Sequence, residues 1–149
     1  MEPHWAAMAR LALRLVGEQQ WEDVLQEALV LAWRKWNRFD ASKGSARTWL
    51  LTLTADQARR SRRKRGLVLA PSETANMHAD VEAFIDLDQA IESLARRQRL
   101  VVELYYFLGL SVEEAAQVMG CAAGTVKSTL SDARAKLRAT LKDDADDQD

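Results

Sequence analysis

The chain has 149 residues, 48% of them hydrophobic and 29% charged, enough to bury one or two small cores and too few for a large α/β enzyme or a barrel. That composition excludes wholesale disorder, and a single cysteine, Cys121, with only His4 and His78 beside it excludes a disulfide framework and a metal cluster built from Cys and His. The formal net charge of −1 conceals blocks of opposite sign: residues 1–65 carry 13 Lys/Arg against 7 Asp/Glu, residues 66–86 none against 4, residues 87–142 8 against 6, and residues 143–149 none against 5. Two basic segments separated by an acidic connector permit a nucleic-acid partner that the average would discourage.

Sustained period-2 alternation is missing, and apolar residues recur at helical spacing, so the fold class expected is all-α. A first helix carries Trp5, Met8, Ala9, Ala12, Leu15 and Val16 and closes at Gly17, where a residue without Cβ can turn left-handed. A second spans about 21–36, with Val24, Leu25, Ala28, Leu29, Ala32, Trp33 and Trp36 as a broad apolar stripe, and we expect Trp21, Trp33 and Trp36 in the core. Residues 37–45 are rich in turn formers and read as a loop, after which Ser45 can cap a third helix over about 46–65. Its first half puts Ala46, Trp49, Leu50 and Leu53 on one face. Its second half, residues 59–65, holds six cations in seven residues and no apolar side chain, so it is expected to anchor no core.

Residues 66–86 have weak periodicity and read as a flexible tether between two modules, with a nascent turn near residues 83–85. From Leu87 to Leu108 the apolar spacing predicts one long helix or two abutting ones. Gly109 breaks the run, Ser111 with Glu114 three residues on forms a capping-box pattern, and a short helix over 112–119 stops at Gly120. A last helix is expected over about 123–141, followed by a disordered acidic tail, residues 143–149.

The strongest local signal lies in residues 111–135. A helix-turn-helix needs a small residue where its helices cross, a glycine in the tight turn and an apolar residue on the second helix that packs back onto the first. Ala116, Gly120 and Val126 meet those demands. With Val126, Leu130, Ala133 and Leu137 facing inward, Thr125, Lys127, Ser128, Ser131 and Arg134 lie on the other face, free to enter a major groove. A plain helical hairpin with a solvated polar face has the same spacing. The basic run over 59–65 can neutralise phosphates whatever the base sequence, or it can be a solvated helix end; Trp49 can stack on an unpaired base or fill the core. On the second helix Asp23, Gln26, Glu27, Val30, Arg34 and Lys35 form an exposed face that is either ordinary surface or a docking site for a partner helix.

Taken together, Asp23-Val-Leu-Gln-Glu27, Ala32-Trp33-Arg34, Arg38-Phe39-Asp40, Gly44-Ser45 and Trp49-Leu50 in the first half resemble the first module of extracytoplasmic-function (ECF) RNA polymerase sigma factors. Leu94, Arg97-Gln98-Arg99, Gly109-Leu110-Ser111, Glu114-Ala115-Ala116, Gly120, Gly124-Thr125-Val126-Lys127-Ser128, Ala133-Arg134 and Leu137 resemble the second. The resemblance covers roughly residues 5–142. It implies two small helical bundles: residues 1–65 as a region 2-like module, 66–86 as linker and 87–142 as a region 4-like helix-turn-helix module. It also implies a promoter-specificity subunit of bacterial core RNA polymerase, with Asp23, Gln26, Glu27, Leu31 and Arg34 gripping the polymerase. The minus-10 element would meet Asn37, Arg38, Asp40, Ser42, Lys43, Arg47, Thr48, Trp49, Thr52, Asp56, Arg60 and Arg63, and the minus-35 element Thr125, Lys127, Ser128, Ser131 and Arg134. An anti-sigma protein is a further partner that the resemblance allows.

The alternative is a stand-alone helix-turn-helix regulator whose residues 1–65 serve as a dimer or ligand module. An enzyme finds little support, because no glycine-rich phosphate loop and no Ser/His/Asp or Cys/His constellation is present and Asp23 and Glu27 sit one turn apart like ordinary surface acids. No cofactor or metal is expected. No apolar run reaches the roughly 18 residues that span a bilayer, and the N-terminus lacks a signal peptide's pattern, so a cytoplasmic protein without a membrane partner is expected.

Overall fold

The computed structural model describes residues 2–66 and 85–146, which form seven α-helices with no strand among them. Helix α1 (Glu2–Val16) closes where the spacing predicts, with Gly17 at φ +82° and its amide donating to the Leu13 carbonyl at 2.9 Å. Helix α2 (Trp21–Lys35) carries Glu22 and Asp23 in its first turn and Arg34 and Lys35 in its last, each sign placed against the opposite end of the helix dipole. A 3-10 turn (Trp36–Arg38) leads into the loop. Ser45 starts helix α3 (Ala46–Gly66) as expected: its Oγ accepts from the Thr48 amide at 3.1 Å. The three helices pack mutually around Met8, Leu11, Leu25, Ala28, Leu50 and Leu51, all buried.

In the second module the run over 87–108 resolves into two abutting pieces, and α4 (Ile85–Glu92) begins slightly ahead of the expected Leu87. The chain breaks at residues 93–95, where Ala95 is extended (φ −59°, ψ 152°) and donates its amide to the Gln98 side chain at 3.1 Å. Helix α5 (Arg96–Val102) then passes into a π-helical segment (Glu103–Phe107) that ends before Gly109 at φ +68°. Helix α6 (Val112–Met119) has its capping box formed: the Ser111 Oγ accepts from the Glu114 amide at 3.1 Å and Glu114 Oε1 accepts from the Ser111 amide at 3.2 Å. Gly120, at φ +67°, supplies the left-handed residue the tight turn requires.

Helix α7 (Ala123–Asp146) corrects the expectation of a tail disordered from residue 143. No glycine or proline interrupts the chain after Gly124, and each aspartate costs a helix only a fraction of 1 kcal/mol relative to alanine, so the helix continues. Residues 147–149 lie outside the described residues. So does the tether reading, apart from Gly66 and residues 85–86.

The two bundles are not independent bodies. A single apolar cluster runs from α1, α2 and α3 through Leu50, Leu51 and Leu53 into Val101, Leu104, Leu110, Ala115, Val118, Val126 and Leu130 of the second module. Burial of apolar area is non-directional, and α3 presents a second apolar side that α6 covers. A smaller cluster of Ile91, Leu94, Val102 and Ala133, with Leu137 against it, belongs to the second module alone.

Candidate polymerase and nucleic-acid interfaces

On α2, residues Val24, Leu25, Ala28 and Ala32 face the core. The 100° step per residue then turns Trp33 outward, and it is 80% exposed, beside Val30 at 50%. This corrects the expectation that Trp33 is core: Ala32 takes the inward position at the end of the stripe. Trp36 is also largely exposed, while Trp21 is half-buried against the core as expected. Asp23, Gln26, Glu27 and Arg34 are exposed on the same side as Val30 and Trp33, and Leu31 is half-buried at its margin. An apolar centre ringed by charged and polar groups is the composition of a protein docking surface.

Trp36, Phe39 and Trp49 form an aromatic cluster at the mouth of the loop, with Trp36 and Phe39 stacked at 5.6 Å and Phe39 and Trp49 tilted at 5.3 Å. Asn37, Arg38, Asp40, Ser42 and Lys43 are exposed around it. The Asp40 carboxylate accepts from the Ser42 hydroxyl at 2.6 Å and the Ser42 amide at 2.9 Å. These bonds from Ser42 hold the Asp40 carboxyl below its ordinary value and give the loop a fixed local turn.

The start of α3 differs from expectation. Arg47, Trp49 and Thr52 are half-buried, and Thr48, which the resemblance assigns to the minus-10 element, is 2% exposed. Helix α6 covers it: the Thr48 hydroxyl donates to Glu114 Oε2 at 2.7 Å. Asp56 pairs with Arg59 Nη1 at 2.7 Å, and Arg59 Nη2 donates to the Val118 carbonyl at 2.8 Å. The basic end of α3 is therefore not wholly a solvated run. Arg60 and Arg63 are exposed, but Arg62 is drawn in, and burial, with Arg96 and Arg59 close by, lowers its guanidinium from the ordinary value.

The second module follows the helix-turn-helix geometry the spacing predicts. Ala116 and Val126 are buried at the crossing, and the Cys121 amide donates to the Ala116 carbonyl at 3.1 Å across the turn. Thr125, Lys127, Ser128 and Ser131 are exposed on one face of α7. Arg134 is half-buried instead. Its Nε donates to the Tyr106 hydroxyl at 2.6 Å and its guanidinium lies over the Tyr105 and Tyr106 rings at 5.7 and 5.6 Å, a partnership that only the fold reveals.

Two partnered side chains were not among the expected site residues. Tyr106 is the first. The second is Glu103, whose signal was an acid inside the otherwise uncharged run of residues 100–110: it is 2% exposed and receives Arg10 Nε on Oε1 and Arg14 Nε on Oε2, the latter at 3.1 Å. No helix among the described residues is long and apolar enough to cross a membrane. No group of three or more His, Cys, Asp or Glu capable of holding a metal occurs among them either.

Glu114 makes a pH prediction. The Thr48 hydroxyl first and the Ser111 amide second lower its carboxyl from the ordinary value. A lowered folded-state value stabilises the fold above the usual carboxylate range and is lost as pH falls through the lowered value. Glu114→Gln should therefore reduce stability at pH 7 and flatten the loss of stability between about pH 5 and pH 3, as read from urea midpoints across that range. An unaltered slope would remove Glu114 from the acid response.

An all-α chain pairing a helix-turn-helix with a second bundle that bears an exposed aromatic docking face has the makings of a DNA-directed assembly factor. Comparisons with known proteins give the family. Residues 2–67 match the family model described as Sigma-70 region 2, and residues 84–137 match Sigma-70, region 4. The chain is 34% identical over 153 residues to the ECF RNA polymerase sigma factor SigL of Mycobacterium tuberculosis, covering 95% of this chain and 86% of that protein. It is 35% identical over 146 residues to the RNA polymerase sigma-E factor of Streptomyces avermitilis, covering 91% and 79%. Among solved structures, the sigma factor RpoE in complex with the anti-sigma factor NepR from Bartonella quintana superimposes with a TM-score of 0.75 at 30% identity, over 93% of this chain and 92% of that one. CnrH in complex with the cytosolic domain of CnrY gives 0.67 at 26% identity, over 96% and 85%. The chain belongs to the ECF RNA polymerase sigma factors. It is a promoter-recognition subunit, of a class that binds core RNA polymerase and promoter DNA and that acts as an initiation factor rather than as an enzyme.

Proposed function

We infer that each function is carried by a separate surface of this chain. Residues 1–65 form the region 2 module and 87–142 the region 4 module. The side of α2 bearing Asp23, Gln26, Glu27, Leu31 and Arg34, with Trp33 and Val30 at its centre, docks on core RNA polymerase. The observation that carries this reading is the 80% exposure of Trp33 on an otherwise polar helix side, because an exposed aromatic within a charged rim is the form of an interface anchor. The stand-alone regulator is the weaker reading, since it leaves that exposure without a purpose.

The minus-10 surface comprises Asn37, Arg38, Asp40, Ser42 and Lys43 around the aromatic cluster, Arg47, Trp49, Thr52 and Asp56 on α3, and Arg60 and Arg63 at its basic end; Thr48, covered by α6, lies beneath it. Stacking on an aromatic platform suits unpaired bases, which a melted element supplies. Thr125, Lys127, Ser128 and Ser131 meet the minus-35 element in the major groove. Arg134, bonded to Tyr106 through Nε alone, keeps its other guanidinium donors for the same element. The chain itself makes and breaks no bond, needs no cofactor, and works where polymerase works, in the cytoplasm. An anti-sigma protein, of the kind present in the Bartonella quintana RpoE complex, is a partner of the same surfaces.

Run-off transcription with purified core polymerase and a promoter library tests the reading; failure to start at any promoter would refute it. In the same assay Lys127→Ala should weaken the chain across promoters of all sequences and lower the salt slope of DNA binding by about 1, the mark of one lost phosphate contact. A change confined to one class of promoter would instead make Lys127 a base reader.

A further inference from the structure

We propose that Asp132 sets part of the promoter choice of this chain, by reading a cytosine of the minus-35 element through the amino group at its major-groove edge. The inference rests on the placement of α7 in that groove made above, and it adds to the groove-facing side a residue of opposite charge.

Position carries the first part of the argument. An α-helix turns by about 100° per residue, so Asp132 stands about 20° from Thr125, seven positions earlier, and about 40° from Ser128, four positions earlier. It lies between those two on the circumference, and all three are exposed. Val126, Leu130 and Ala133 are buried on the opposite side. A groove that receives Thr125 and Ser128 therefore receives Asp132 as well. At about 1.5 Å per residue Asp132 is about 10 Å along the axis from Thr125, a span of some three base pairs at about 3.4 Å each.

Its charge is unclaimed within the protein. Asp132 is the sole acid between Glu114 and Asp143, in a stretch that carries Lys127, Arg134, Lys136, Arg138 and Lys142. The cation best placed to neutralise it is Lys136, one turn further on. The Lys136 ammonium instead donates to the Ser93 carbonyl at 3.1 Å, at the break between α4 and α5. Asp132 forms no ion pair among the described residues, and Lys127 is about 140° away on the other edge of the groove-facing side. Beside Asp132, the Ser128 hydroxyl donates its proton to the Thr125 carbonyl at 3.1 Å, which leaves its oxygen to accept. This edge of α7 presents acceptors, while the Lys127 edge presents a cation.

Acceptors call for donors. In the major groove only the cytosine N4 and adenine N6 amino groups donate. Adenine sets its N7 acceptor beside N6, where it opposes a carboxylate oxygen, and guanine and thymine offer acceptors or a methyl group in that place. A carboxylate brought among phosphates is repelled whatever the sequence, and the cytosine amine alone compensates it. Asp132 thus selects chiefly by penalising the other three bases.

The test uses the full chain bound to core polymerase, on promoters in which each minus-35 base pair is replaced in turn by the other three. At one position the wild type should favour cytosine by about tenfold. Asp132→Asn keeps the shape and gains an amide donor, the group that pairs with adenine N6 and N7 together, so the preference at that position should pass to adenine. Asp132→Ala should lose the preference there and bind the formerly disfavoured promoters more tightly, with the ranking of bases elsewhere unchanged. Helical circular dichroism should stay the same in both variants, because the side chain is exposed. A wild type indifferent to cytosine at every position, or variants that keep its ranking of bases, would overturn the inference. Uniform tightening on every promoter would overturn it too, leaving Asp132 as a repelling charge with no base to read. Lys127→Ala on the same promoters reports separately on the groove placement: a loss across all of them keeps α7 in the groove even where Asp132 reads nothing, and no loss on any of them removes α7 and this inference with it.

Discussion

Trp33→Asp should reduce the affinity of the chain for core RNA polymerase by about 30-fold or more, the effect of losing an interface anchor worth at least about 2 kcal/mol. Helical circular dichroism and the thermal midpoint should be unchanged, because the side chain is 80% exposed and packs into no core. Ala32→Asp, one residue away, should instead unfold the front bundle, since Ala32 is 2% exposed and an unpaired charge there would be buried at large cost. The contrast separates docking from packing on a single turn of α2. Normal retention of polymerase by Trp33→Asp, measured by co-purification over a salt series, would move the docking surface elsewhere.

Leu104→Ala should destabilise the chain by about 2–5 kcal/mol, the range for deleting a fully buried leucine side chain. Leu104 is wholly buried, within the cluster that continues into the front bundle. All five tryptophans, Trp5, Trp21, Trp33, Trp36 and Trp49, lie in that front bundle, so their fluorescence reports on a module that does not contain the substitution. If the shared core makes the two bundles one cooperative unit, the fluorescence transition and the helical circular dichroism transition should fall together, by of order 10 °C. A fluorescence transition that stays in place while part of the helical signal melts early would show two bundles unfolding independently.

The local elements were legible because their signals are local. Gly17, Gly109 and Gly120 end their segments at positive φ, and Ser45 and Ser111 cap theirs, since turn and cap chemistry is settled within four residues of chain. The helix-turn-helix and its exposed Thr125, Lys127, Ser128 and Ser131 followed from the same spacing. Trp33 was misplaced because a broad apolar stripe does not say which edge of it is covered. The end of α7 was misplaced because a run of aspartates lowers helix stability without stopping the helix.

What the amino-acid order determined by itself was the set of helices, the small-residue crossing at Ala116 and Val126, and the pairing of motifs that marks an ECF sigma factor. What only the tertiary structure decided was the relation between the halves: Thr48 beneath α6, Arg134 held by Tyr106, and Glu103 enclosed by Arg10 and Arg14. Helical periodicity records that a side chain must be buried but not against what, because apolar burial has no direction. A charge pair separated by some ninety residues leaves no trace in spacing and exists only once the chain has folded.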